Sequence, residues 1–268
     1  MLRLLNLEWQ KQKKHRIFQV LIGMYALLLP TIILPIRGIP ELPPPILTPD
    51  TLFQFPTVFT FIGYAGNWLS FFFLGFFAVV LVTQEYSNKT LRQNIITGLS
   101  RTELFWSKAN FLIVLSLAAT IYYFIVCLIY GFIFSEAYYL STITKNIDYI
   151  PRYFLMCLGY SSFGFLMGLL IRRTGIALFL YLSYVMFIEL ILRWVVHLKL
   201  FANKSMHFYP MNAIEDLAPV PFAEIAEDFQ AENGFSFFLT PTEAMITSSV
   251  YIVLFLFLAH RLLMARDL

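Results

Sequence analysis

Residues 55–82 read FPTVFTFIGYAGNWLSFFFLGFFAVVLV and contain no Asp, Glu, Lys, Arg or His. An α-helix rises about 1.5 Å per residue, so about 20 apolar residues cross a hydrocarbon layer roughly 30 Å thick. The run is long enough for one complete crossing. Because lipid offers no hydrogen-bond partners to the backbone, the sequence predicts that this segment spans a membrane as a helix.

Five further windows have the same apolar character, and the chain as a whole is 59% hydrophobic with a mean hydropathy of +0.72. A soluble domain of 268 residues could not bury that much apolar surface. Alternation of period two, which is typical of barrel strands, is absent. We therefore predict an all-α, polytopic membrane protein whose transmembrane domain is 17–268. The six predicted spans are 17–36, 55–82, 109–134, 152–171, 175–197 and 244–264.

The distribution of Lys and Arg predicts the orientation of the spans. Most basic residues lie before the first span, in the loop 83–108 and beside the later spans on the same side, so the positive-inside rule places both termini in the cytoplasm. The acidic loop 198–243 then lies outside. Ahead of the first span, residues 1–16 (MLRLLNLEWQKQKKHR) combine an apolar stripe with a basic cluster. They are predicted to form an interfacial amphipathic helix attracted to anionic lipid, or to act as a simple basic anchor.

The loop 83–108 contains QEYSNKTLRQNIITGLSRTELFWSK at 84–108. Thr90 with Gln93, and Ser100 with Glu103, have the spacing of helix capping boxes, while Gly98 suits a left-handed helix end. These signals predict a short helix at 91–97 and a second helix that continues into the third span. The short helix would present Ile95, Ile96 and Leu99 as a docking surface. A solvated charged loop is the alternative.

This loop resembles the cytoplasmic loop of ABC-transporter permeases of the type-2 exporter class. The resemblance is carried by Glu85-Tyr86, Asn88, Thr90-Leu91-Arg92, Gly98-Leu99-Ser100-Arg101 and Lys108. The family often has Gly where this chain has Lys89. The resemblance implies that the short helix is a coupling helix that fits a cleft on a separate ATPase subunit. The implied coupling residues are Glu85, Asn88, Thr90, Arg92, Ile95, Gly98, Ser100 and Arg101.

The same resemblance implies the rest of the assembly. The chain would be the permease subunit of an exporter in a bacterial inner membrane, paired with a second, identical or related permease chain and with a dimer of cytoplasmic ATPase subunits. ATP and Mg would bind to the ATPase, because this chain has no G-x-x-x-x-G-K-S/T phosphate loop. The expected cargo is amphipathic: a lipid, a peptide, a polysaccharide or a drug. Membrane lipids are expected partners and nucleic acid is not.

Polar residues within the spans are candidates for a translocation path or gate. The second span carries Thr57, Thr60, Tyr64 and Asn67 on one helical face, which suits either packing against a neighbouring helix or a path lining. In the fifth span Glu189 and Arg193 are four residues apart, so we expect an intrahelical ion pair, with a gate as the alternative. The resemblance implies that both spans line the path. In the fourth span, Gly164-x-x-x-Gly168 predicts close helix packing.

Two other classes of function stay open. An intramembrane serine protease would use Ser161 with His260, but their depths within their spans differ by roughly 10 Å, too far for a nucleophile and its base. The histidines have no metal-ligand spacing, so no metal site is expected. Because of the difference in depth, no catalytic site is expected either. The chain could also be a membrane anchor or sensor subunit that transports nothing.

Overall fold

The computed structural model describes residues 2–38, 49–88, 90–96, 98–136, 139–221, 229–231 and 234–265. Within those ranges the chain forms helices and no strand, and six helices are long and apolar enough to cross a membrane. Each predicted span lies mostly or wholly within one of these six helices. The protein is an all-α, multi-pass integral membrane protein.

We number the helices in chain order. They are α1 (Leu2–Gln12), α2 (Arg16–Thr31), α3 (Thr57–Ser87), α4 (Thr90–Ile96), α5 (Arg101–Phe134), α6 (Leu140–Thr144), α7 (Tyr149–Ile171), α8 (Thr174–Phe201), α9 (Pro210–Glu215) and α10 (Pro241–Ala265). The six membrane helices are α2, α3, α5, α7, α8 and α10. Helix α3 contains a π-helical stretch at Ser70–Gly75, and α8 contains two, at Tyr184–Ile188 and Leu192–His197.

Helices α3 and α7 form the centre of the bundle. Helix α7 packs against α3, α5, α8, α9 and α10, and most of its surface is buried, as is most of α3. Helices α2, α8 and α10 leave most of their apolar surface uncovered by protein. Because lipid solvates apolar side chains as well as a protein core does, those outer faces fit contact with hydrocarbon.

Gly164 and Gly168 of α7 bring its backbone against that of α3. A Cβ atom on Gly164 would lie 2.4 Å from the carbonyl oxygen of Gly75, and one on Gly168 would lie 2.9 Å from that of Val79. Both distances are shorter than any real Cβ contact, so only glycine fits. The close packing predicted from the Gly-x-x-x-Gly pattern is confirmed.

Contacts between helix ends define the two ends of the bundle. The guanidinium of Arg101 donates to the carbonyl oxygen of Met264, which joins the start of α5 to the end of α10. Helix α1 packs against α5 at this end, which we call the N-terminal end. At the other end, the Phe55 amide donates to the Ser135 hydroxyl, and the ammonium of Lys204 pairs with Glu243.

Replacing Gly164 with alanine is expected to separate α3 from α7 and to lower the free energy of unfolding by about 1–3 kcal/mol, the usual cost of overpacking. Thermal unfolding in detergent measures the loss. Gly175→Ala is the matched control, because a Cβ atom there meets nothing within 4 Å. Equal melting temperatures for the two variants would contradict the close contact.

Candidate functional site

Helix α4 lies at the N-terminal end of the bundle. A pair of backbone hydrogen bonds closes the C-terminus of this helix. The Leu99 amide donates to the carbonyl oxygen of Asn94, and the Gly98 amide donates to that of Ile95. Gly98 has a φ of 103°, which L side chains rarely adopt. These bonds form a Schellman motif, so the predicted glycine stop is confirmed and the end of α4 is geometrically defined.

The next helix begins at the predicted capping box. The Ser100 hydroxyl accepts from the Glu103 amide, and the Glu103 carboxylate accepts from the Ser100 amide at 2.8 Å. Helix α5 therefore starts at Arg101 and continues to Phe134 without a break, eight residues before the predicted start of the third span. The capping box therefore fixes where α5 begins, three residues after Gly98.

The other predicted loop residues have different surroundings. Asn88 ends α3 with a φ of −88°, so it does not supply a left-handed turn, and Thr90 is the first residue of α4 and not its cap. Lys89 and the side chain of Arg92 lie outside the described residues. Ile95 is half-buried and packs against the core, whereas the Ile96 side chain is 75% exposed. Ile96 is thus the exposed apolar side chain of α4.

Glu85 belongs to a cluster of four charges that joins three helices; three of the four are buried, and the Lys11 side chain is 39% exposed. Its carboxylate pairs with the ammonium of Lys108 at 2.8 Å and with that of Lys11. Lys108 also pairs with Glu8 at 3.4 Å, and Gln12 donates to Glu8 at 2.8 Å. We call Glu8, Lys11, Glu85 and Lys108 the charge cluster.

The charge cluster contains two carboxylates and two ammonium groups, so its formal charge is zero. Glu8, Glu85 and Lys108 are each at most 6% exposed. Burial raises the pKa of the Glu8 carboxyl, but the ammonium groups of Lys108 and Lys11 outweigh this effect, and the pKa falls below its usual value. The ion pairs of the charge cluster bind α1 to α3 and α5 at the base of the α4 loop. Glu8, Glu85 and Lys108 are buried, so these side chains join helices and offer no surface to a partner.

At the opposite end, residues 204–218 fold back into the bundle. We call them the folded-back segment. The sequence places them in an outer loop, yet Met206, His207, Ala213, Ile214 and Leu217 are completely buried. The Ser248 hydroxyl of α10 donates to the Ala213 carbonyl, and the Asn67 amide of α3 donates to that of Glu215. The segment closes this end of the bundle between α3, α7, α8 and α10.

The predicted ion pair between Glu189 and Arg193 is wrong. The Glu189 carboxylate accepts from the amides of Met211 and Asn212, at 3.0 and 2.7 Å, in the first turn of α9. Arg193 donates to the Met206 carbonyl and contacts His207 Nδ1 at 3.2 Å. The π-helical turns of α8 change the register that the prediction assumed, and the folded-back segment supplies closer partners.

The folded-back segment also has a buried carboxylate of its own. Asp216 is 3% exposed and accepts from the Leu239 amide at 2.9 Å and from the Asn212 side chain at 3.1 Å. Burial raises the pKa of Asp216 to about 7, although Leu239 and Arg193 act in the opposite direction. This group can change its charge near neutral pH.

A cavity of about 320 Å³ lies between α3, α8 and the folded-back segment. Its lining includes Tyr64 from α3 and Arg193 from α8, so the structure brings together members of the two predicted polar stripes. Asn67 bonds to the folded-back segment and to the Tyr160 hydroxyl. Thr57 and Thr60 do not line this cavity; the Thr60 hydroxyl bonds to the Thr57 carbonyl within α3.

Ser161 and His260, the residues that a serine protease would use, form no hydrogen bond with each other in the described part of the chain. The buried Ser161 hydroxyl has no hydrogen-bond partner there, and the His260 ring packs edge-on against Phe105. Across the described ranges, no group of three or more His, Cys, Asp or Glu residues could hold a metal ion. The geometry offers no base for Ser161.

The sequence patterns do not predict the surroundings of two sets of residues. Residues 1–16 predict only an interfacial helix, although the i, i+3 spacing of Glu8 and Lys11 puts both on one face with Gln12. His207, Asn212 and Asp216 fall in the acidic loop that the sequence places outside. The apolar residues between them, such as Met211 and Ile214, were the available signal that this loop is buried.

Comparison with protein families matches residues 47–268 to a family described as "Protein of unknown function (DUF2705)". The matched part includes every membrane helix except α2, and both α4 and the folded-back segment. No curated protein matches the chain.

Lys108→Met is expected to lower the free energy of unfolding by about 3–5 kcal/mol, because it leaves Glu8 and Glu85 buried with one ammonium group between them. Thermal unfolding and proteolysis of α1 report the loss.

Lys145→Met is the matched control for that experiment, since Lys145 is exposed at the opposite end. If the control lost as much stability as Lys108→Met, the charge cluster would have no special role.

Stability is expected to fall as the pH rises from about 4 to about 7. The Asp216 pKa of about 7 in the fold exceeds its ordinary value of 3.8, so the folded protein binds this proton more tightly than the unfolded chain does. The stabilisation is complete below pH 4 and lost above pH 7. Thermal unfolding across this range, compared with Asp216→Asn, isolates the effect. An unchanged pH profile in Asp216→Asn would remove Asp216 as its source.

Proposed function

Since the chain belongs to the DUF2705 family, whose description assigns no activity, we propose from the site itself that it is the permease subunit of an ATP-driven ABC exporter. The observation that carries the proposal is the short helix α4. It is closed by a Schellman motif, followed at once by a capped membrane helix, and presents an exposed isoleucine. A rigid, exposed helix between two long membrane helices is the part that a separate ATPase subunit would move.

The charge cluster would transmit a movement of α4 to the neighbouring helices of the bundle. Glu85 lies at the end of α3 and Lys108 lies near the start of α5, so their ion pair joins the two helices on either side of α4. Lys11 and Glu8 add α1 to the same unit. A force on α4 would therefore displace α1, α3 and α5 together, a change between two packings of one bundle.

The position of the folded-back segment at the opposite end suits a closed state of the proposed exporter. The folded-back segment fills the space between α3 and α8, where the proposed path would open, and its bonds to Glu189 and Arg193 hold it there. Export would require these bonds to break or the segment to move with α8. Hydrogen bonds to charged groups contribute about 1.5–3 kcal/mol each, so breaking them would need a source of free energy such as ATP hydrolysis by the partner subunit.

The remaining parts of the proposal concern the assembly. Two permease chains, identical or related, would bind two cytoplasmic ATPase subunits that hold ATP and Mg. The membrane would be the bacterial inner membrane, with α4 on its cytoplasmic side. The cargo would be amphipathic, as a lipid, peptide, polysaccharide or drug is, because the faces that border the proposed path are rich in aromatic residues with a few polar groups.

The proposal is tested by purifying the tagged chain from its native membrane in mild detergent and measuring ATP hydrolysis in the purified complex. Ile96→Asp is expected to abolish co-purification of the ATPase subunit, since it places a charge in an apolar contact. Leu140→Asp is the matched control, because Leu140 is 77% exposed but lies at the opposite end. Retention of the ATPase by Ile96→Asp, with normal folding, would contradict docking through α4.

Transport requires a second measurement in vesicles that contain the purified complex. ATP-dependent movement of a fluorescent amphiphile across the bilayer is expected from the wild type. Binding of the ATPase without movement of any cargo would favour an anchor or sensor subunit. Peptide hydrolysis that needs Ser161 and no ATPase would favour an intramembrane enzyme.

A further inference from the structure

A second groove, unrelated to α4, lies on the outer surface of the bundle beneath α1. Its volume is about 640 Å³, within the range of about 300–1,000 Å³ that ligand sites occupy. It is open along one side, where α5 faces the membrane. The lining residues are Arg3, Leu5, Asn6, Trp9, Phe111, Val114, Leu115 and Ala118.

The two walls of this groove differ in chemistry. The α5 wall is formed by Phe111, Val114, Leu115 and Ala118, which follow each other at helical spacing and carry no polar group. The α1 wall carries the guanidinium of Arg3, the amide of Asn6 and the indole of Trp9. One side therefore suits a hydrocarbon chain, and the other suits a polar, negatively charged headgroup.

The groove keeps its shape because the other face of α1 is bound to the protein. Glu8 and Lys11 belong to the charge cluster, and the Trp9 ring packs against Phe18 and Phe111. Helix α1 cannot turn without breaking those ion pairs. The Arg3, Asn6 and Trp9 face is consequently held toward the groove. Arg3 forms none of the ion pairs found among the described residues, although its charge acts on the exposed carboxylate of Glu103.

We propose that this groove binds one anionic phospholipid. An acyl chain lies along Phe111, Val114, Leu115 and Ala118, and the phosphate of the headgroup accepts hydrogen bonds from Arg3 and Asn6. Trp9 stands beside the glycerol region, where amphipathic rings are most stable. A lipid fits better than a peptide, because one wall is a membrane helix that leaves Val114 44% exposed to hydrocarbon. The site does not depend on the binding of an ATPase.

Fluorescence quenching of Trp9 tests the site directly. The chain has four tryptophans, and Trp68→Phe, Trp106→Phe and Trp194→Phe leave Trp9 as the single emitter. This variant is placed in phosphatidylcholine vesicles that contain phosphatidylglycerol with brominated acyl chains, or brominated phosphatidylcholine at the same mole fraction. The expected result is stronger quenching by phosphatidylglycerol, saturating at a low mole fraction as one bound molecule would require.

Substitutions in the groove distinguish specific binding of the lipid from a general attraction of anionic lipid to basic side chains. Arg3→Gln is expected to reduce the preference for phosphatidylglycerol about fivefold, the usual effect of one basic residue near an anionic surface. Arg3→Lys should keep most of it. Lys14→Gln is the matched control, because Lys14 is exposed on the same segment but does not line the groove. It should leave the preference unchanged.

A second variant tests the hydrocarbon wall. Ala118 is exposed, so Ala118→Phe fills the groove without entering the core, and it is expected to reduce quenching by both brominated lipids. Equal quenching by the two lipids in the parent protein would overturn the proposal. So would equal losses in Arg3→Gln and Lys14→Gln, which would show attraction to a charged surface and no specific site.

Discussion

The ion pair between Lys108 and Glu85 is the contact on which the N-terminal end of the protein depends. Both groups are almost completely buried, and a buried charge is stable only when a close partner and hydrogen bonds replace the water it has lost. Two more charges, Glu8 and Lys11, complete the neutral set. Because the four residues come from three helices, none of α1, α3 and α5 can be moved independently of the others without exposing or isolating a charge.

At the opposite end, two of the buried charged groups bind backbone atoms instead of side chains of opposite charge. Glu189 and Arg193 do not pair with each other; each binds the backbone of the folded-back segment. A segment in which Met206, His207 and Ile214 are fully buried replaces the solvent that an outer loop would meet. The two ends thus differ in the partners that their buried charges have. One is a set of buried ion pairs, and the other is a docked segment whose buried Asp216 titrates near neutral pH.

The features of the fold that were predictable are those that local chemistry determines. The apolar windows follow from the thickness of a bilayer, the stop at Gly98 from its freedom at positive φ, and the start of α5 from the Ser100 and Glu103 capping box. The failures involve partners that are distant in sequence. Glu189 and Arg193 have ideal spacing for an ion pair, but α9 offers amides 22 and 23 residues away that bind the carboxylate more closely. Likewise, Lys108 and Glu8 are 100 residues apart.

The sequence by itself determined that this is an all-α membrane protein with six crossings, because hydrophobicity and helix capping act over only a few residues. It also determined where α4 stops and where α5 starts. Only the tertiary structure decided that Glu85 is buried among lysines, that Ile96 and not Ile95 is exposed, and that residues 204–218 enter the bundle. Those outcomes depend on which charged and polar groups meet when helices pack. A buried charge pairs with the group that helix packing places beside it. The spacing of residues within one helix does not specify that group.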